Sequence, residues 1–136
     1  MMKKLIVLAV FTPFMNLAFS QNYTQQEFNQ LYVPAFSYYH MSIGMDSAKK
    51  SKCAAHLKLQ RSPDFKTYAR VEVVNKYYAA GKSELGNIVM PAVIANSKGE
   101  DAEFDKMFRE TSDCKKTIAS LEAMYKTSRD IFFETK

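Results

Sequence analysis

Ser62-Pro63-Asp64-Phe65-Lys66-Thr67-Tyr68-Ala69-Arg70-Val71-Glu72-Val73-Val74-Asn75-Lys76-Tyr77-Tyr78-Ala79-Ala80-Gly81 carries both ends of a helix in its own residues. Serine suits the N-cap and proline the first helical position. An acid beside them meets the positive end of the helix dipole. Phe65, Ala69, Val73, Tyr77 and Ala80 then recur at helical spacing and form one apolar stripe. Gly81 suits the left-handed residue that closes a helix.

The same reading extends in both directions. Upstream, Thr24-Gln25-Gln26-Glu27 has the form of a capping box, in which threonine and glutamate each satisfy a backbone N–H of the other. Pro34 should kink or end a helix begun there. A second helical run is expected over about residues 35–59, with Phe36, Tyr39, His40 and Ile43 on one face and Cys53 and Leu57 further along. Gly44 weakens it locally. Downstream, Leu85, Ile88, Val89, Ala92 and Val93 keep helical spacing around Pro91, whereas Ile88-Val89-Met90 alone would suit a strand. A kinked helix is the reading adopted for residues 85–95. Ser97-Lys98-Gly99-Glu100 offers another capping box. From Glu100 towards Phe133 the stripe is Phe104, Met107, Phe108, Thr111, Cys114, Ile118, Leu121, Tyr125 and Phe132, with a break at Thr111-Ser112-Asp113 where Ser112 can cap a new helix. The expected fold is all-α, a small bundle of four to five helices.

The first residues read differently. Met1-Met2-Lys3-Lys4 is a short positive segment, Leu5 to Phe19 is almost wholly apolar, and Ala18-Phe19-Ser20 places small residues at −3 and −1 of a cut before Gln21. That layout is a secretory signal peptide over residues 1–20. Fifteen positions interrupted by Pro13 fall short of the about 20 apolar residues of a membrane anchor. The expectation is a periplasmic or secreted protein, one domain over residues 21–136, with no membrane span once the leader is removed.

Two cysteines, Cys53 and Cys114, are the whole complement. In an oxidising compartment a lone pair is expected to join, here linking the first and last long helices. A loop of this length gives roughly 4 kcal/mol in the chain-entropy picture. Charge is uneven: residues 49–82 hold nine Lys/Arg against Asp64 and Glu72, and residues 83–113 hold seven Asp/Glu against three bases. Export argues against nucleic acid as the target of the basic block, so solvated helix faces, or attraction to an acidic protein, are its expected roles.

Chemistry-bearing motifs are sparse. Cys53 and His56 of Cys53-Ala54-Ala55-His56 could share a helix face; a metal site would need Cys114 and His40 as well, and a catalytic thiol would need Cys114 left unpaired with Cys53. The serine elbow, phosphate loop and dinucleotide fingerprint are absent, and the run Glu100, Asp101, Glu103, Asp105 lacks the spacing of a calcium loop. That acidic run is expected to match the helix dipole and face solvent. No catalytic residue, metal or cofactor is assigned. Tyrosine doublets are the remaining feature: Tyr38-Tyr39 and Tyr77-Tyr78. Neighbours on a helix lie about 100° apart, so one ring of each can be left at the surface as an interface anchor. The expected class is a non-enzymatic exported protein that binds and masks a protein partner, as immunity proteins and inhibitors of wall-degrading enzymes do. A helical chaperone-like protein and a Cys/His metal or thiol protein are the alternatives. Partner identity and oligomeric state are not written in the sequence.

Overall fold

The computed structural model describes residues 23–135, and the expected leader with its cut before Gln21 lies outside them. Five helices follow in order: α1, Gln25–Lys50; α2, Phe65–Ala79; α3, Ser83–Ala95; α4, Glu100–Glu110; and α5, Cys114–Glu134. A 3₁₀ turn, Ala54–His56, stands between α1 and α2. Among the described residues there is no strand, and no helix is long and apolar enough to cross a membrane.

α1 is the centre of the bundle, and the other four helices all pack on it. It is accordingly buried on every side over part of its length: Met41, Ser42, Ile43, Gly44 and Met45 are all buried. The Thr24–Glu27 capping box forms as expected, with Glu27 N–H on Thr24 Oγ1 at 3.0 Å and Thr24 N–H on Glu27 Oε1 at 3.0 Å. Pro34 does not end the helix. It removes one backbone bond, to Gln30, but Gln30 is exposed and water can take its place. Packing of Leu31, Ala35, Tyr38 and Tyr39 around the site holds the turn.

The helix stops at Lys50, short of the expected residue 59, so Cys53 lies past its end. Ser51 takes over there: its hydroxyl donates to the Ala48 carbonyl at 2.8 Å and accepts from Cys53 N–H at 3.0 Å. Such local side-chain bonds compete with helix continuation. Lys49 and Lys50 occupy the last turn, matching the dipole.

α2 begins two residues later than its sequence suggests. Asp64, not Ser62, is the N-cap, accepting from Thr67 N–H at 2.7 Å. Asp46 of α1 takes the N–H groups of Phe65 and Lys66 at 2.7 and 2.9 Å. Two carboxylates thus satisfy three donors that any helix start leaves open. Gly81 closes the turn after α2 at φ +74°. Residues 85–95 are helical, within α3, despite Pro91. The second capping box does not form: Ser97 Oγ turns back to the Val93 carbonyl at 2.7 Å, and Gly99 starts α4 at φ +86°. The long C-terminal run breaks at residues 111–113, where Asp113 rather than Ser112 caps α5.

Cys53 and Cys114 form a disulfide, with Cα atoms 5.0 Å apart. It joins the connection after α1 to the first residue of α5. Glu122, only 6% exposed, fixes the same connection further along, accepting from Lys58 and Leu59 N–H at 2.7 and 2.9 Å.

Candidate functional site

The four candidate tyrosines part company. Tyr38, Tyr39 and Tyr77 are buried, and Tyr78 is 75% exposed. Tyr77 belongs to the stripe of Phe65, Ala69 and Val73 that α2 turns to the core, and its hydroxyl donates to the Leu31 carbonyl at 2.9 Å. Tyr78 sits about 100° further round the helix, on the outside. Both rings of the Tyr38-Tyr39 doublet are buried, and the open side of α1 at this level is at Ser37 and Val33 instead. Tyr38 packs against Tyr125 and Phe132 at centroid distances of 5.8 and 5.6 Å. Three of the four rings are therefore core residues and not surface anchors.

Tyr38 also ends a polar chain. Its hydroxyl donates to Glu72 Oε1, and Arg129 grips both oxygens of the same carboxylate, Nε on that Oε1 at 3.0 Å and Nη2 on Oε2 at 2.7 Å. The guanidinium lies 4.8 Å over the Phe133 ring. Burial, then the adjoining Glu72 carboxylate, raises Tyr38 far above the usual tyrosine value; the bonds to Glu72 raise Arg129. Tyr38 therefore stays a neutral hydroxyl and Arg129 a cation at any ordinary pH. The three side chains are a fixed tie between α1, α2 and α5.

The outer face of α2 is the opposite case. Arg70, Val71, Val74, Asn75, Tyr78 and Ala79 are all exposed and form one continuous strip. Val71 is 54% and Val74 43% exposed, and with Tyr78 they fall at i, i+3 and i+7, the spacing of an apolar stripe that faces a partner. The strip contains a base, Arg70, and no acid; Glu72 points the other way, to Arg129.

The Cys/His set is not assembled. Both sulfurs are in the disulfide, so neither is a thiolate ligand or nucleophile. His56 is exposed on the 3₁₀ turn. His40 stacks on Phe36 at 6.0 Å and meets a tilted Phe104 ring at 5.1 Å, with Nδ1 2.6 Å from Glu100 Oε1. Among the described residues no group of three or more His, Cys, Asp or Glu could hold a metal ion. The acidic run is only partly a solvated face. Glu100 meets His40 and Asp105 accepts from Ser47, so two of its four carboxylates dock α4 onto α1. A cleft of about 620 Å³ beside this contact is lined by Lys50, Lys52 and Arg109. These bases sit where α1 and α4 end and complement the negative ends of both helices.

Glu72, Arg129, Glu122 and Asp46 were not singled out by the sequence reading. One signal was present: Glu122 lies between Leu121 and Tyr125 within a core stripe, where an acid calls for a partner. No protein-family model matches the chain, and neither a curated protein nor a solved structure matches it.

Proposed function

We propose that this is an exported, non-enzymatic protein that binds a protein partner through the outer face of α2 and masks or inhibits it. Immunity proteins against secreted toxins and inhibitors of wall-degrading enzymes work in this format. The observation that supports the reading is Tyr78, three-quarters exposed in line with Val71 and Val74 on a well-ended helix. A tyrosine of that exposure on an apolar strip is the composition of an interface anchor. The partner is acidic at its contact, because the one charged residue of the strip is Arg70 and the strip itself holds no acid.

A photo-crosslinker at position 78, with exposed Asn87 on α3 as the control position, tests this in the envelope. One partner joined in stoichiometric amount from position 78 alone, whose own activity falls when the protein is added, is the expected result. Tyr78→Ala should then weaken binding by roughly 30-fold, the effect of losing an interface anchor, while leaving the melting temperature unchanged. Many weak adducts from both positions would replace this reading with the chaperone-like one.

A further inference from the structure

We propose that the outer face of α5 is a self-association surface, on which a second copy of this chain packs antiparallel about a twofold axis. The face lies opposite the buried side of α5, which is formed by Ile118, Leu121, Tyr125 and Phe132. Lys116, Ser120, Met124, Thr127, Ile131 and Glu134 run along it and all are exposed. Met124 and Ile131 are 52% and 51% exposed, large apolar side chains on one strip of one helix. Between the ends the strip is small or uncharged, with Ala123 beside Met124, so a second helix can come close.

The charges decide what the occupant is. The first turn of α5 holds no acid beyond its cap, and its last turn holds no base. Lys115 and Lys116 stand at the N-terminal end, Asp130 and Glu134 at the C-terminal end, and none of them takes part in an ion pair among the described residues. This order opposes the helix dipole, so it does not serve the stability of α5 itself. An antiparallel copy explains it. Lys116 of one chain then lies opposite Glu134 of the other, twice per dimer, Ala123 faces Thr127 close to the axis, and Met124 and Ile131 line the seam. A twofold contact must be self-complementary, and this strip is. A parallel copy would set like charge on like. The outer face of α2 has no such self-complementarity, since its one charge, Arg70, would find no acid on the same strip of a second copy. The two faces share no residue, and the dimer does not depend on the partner proposed above.

Sedimentation equilibrium of the full chain, purified as the host delivers it, tests the pairing over a range of concentrations. The wild-type protein should pass from monomer to dimer as concentration rises. Lys116→Glu and Glu134→Lys should each raise the dimer dissociation constant by about tenfold or more, because each replaces two attractions with two repulsions. The double variant Lys116→Glu/Glu134→Lys should restore it, which loss of folding cannot imitate. Met124→Lys should also weaken the dimer, with helical circular dichroism unchanged. A monomer up to about millimolar concentration, or a dimer indifferent to both single charge reversals, overturns the proposal. So does a double variant that fails to recover.

Discussion

Around the start of α2, carboxylates hold main-chain N–H groups instead of bases: Asp46 and Asp64 at the start itself, and Glu122 at the loop before it. Each takes donors that neither a helix nor a sheet would otherwise satisfy, and so each fixes a piece of backbone whose own sequence leaves it free. Asp64 gives the clearest test. The Thr67 N–H bond, the largest influence on it, holds its carboxyl below the ordinary aspartate value of 3.8. A carboxyl whose folded value is depressed adds stability above its unfolded value and loses it as pH falls through the folded one. Asp64→Ala should therefore cost about 1 kcal/mol at neutral pH, the usual effect of removing a cap. Asp64→Asn keeps an acceptor and should cost less. Its deficit against the wild-type protein should shrink as pH is lowered from neutral past the ordinary aspartate value of 3.8 and the wild-type carboxyl takes up its proton. Urea unfolding across that range measures both, and a deficit that grows towards acid would contradict the assignment.

At the scale of elements, helices with a clean stripe and a marked end were legible. α2 shows Phe65, Ala69, Val73 and Tyr77 at regular spacing and Gly81 at its end, and the structure follows, with a small shift at the start. The break before α5 was legible for the same reason. What local sequence could not supply was neighbourhood. Pro34 argues for a kink or an end in α1, and the end does not come, because four helices pack on α1. Likewise nothing near Tyr38 in sequence says that both rings of its doublet are buried, whereas Tyr77 and Tyr78 were separable once the α2 stripe was drawn. The cysteine pairing was legible from the count and the expected leader, but the position of Cys53 was not, since the α1 terminus depends on Ser51. The disulfide and Glu122 hold the same connection, residues 51–63, against α5. Reducing the disulfide should lower unfolding stability by roughly 4 kcal/mol in the chain-entropy picture. Hydrogen exchange should show where: the amides of Lys58 and Leu59 and the first turn of α5 should lose protection before the middle of α2 does. A uniform loss across all five helices would mean that the bond acts only on the unfolded chain.

Across the whole molecule, charge is divided between the parts. The end of α1, the following connection and α2 hold most of the bases of residues 49–82, and α4 holds most of the acids of residues 83–113. Glu100 and Asp105 are drawn onto α1, while Asp101, Glu103 and Glu110 stay exposed beside Lys106 and Arg109, so exposed α4 keeps a small negative excess and the strip on α2 carries only a base. A molecule with such a field is turned as it nears an acidic partner, so that α2 arrives first. Steering and anchoring should then separate by residue. Arg70 is exposed within the strip, and charge at an interface rim acts mainly on encounter. Arg70→Glu should slow association by about tenfold at low ionic strength and flatten its salt dependence, with little change in dissociation. Tyr78→Ala should do the reverse, since a desolvated anchor resists departure: association nearly unchanged, dissociation about 30-fold faster. The rates are measured with the crosslinked partner once it is identified, below and above about 0.1 M salt, where the screening length falls to about 10 Å. If Arg70→Glu left the association rate and its salt slope untouched, the basic block would be no more than a solvated face. If both variants altered only dissociation, the strip would bind by contact alone, and the uneven charge would have no part in finding the partner.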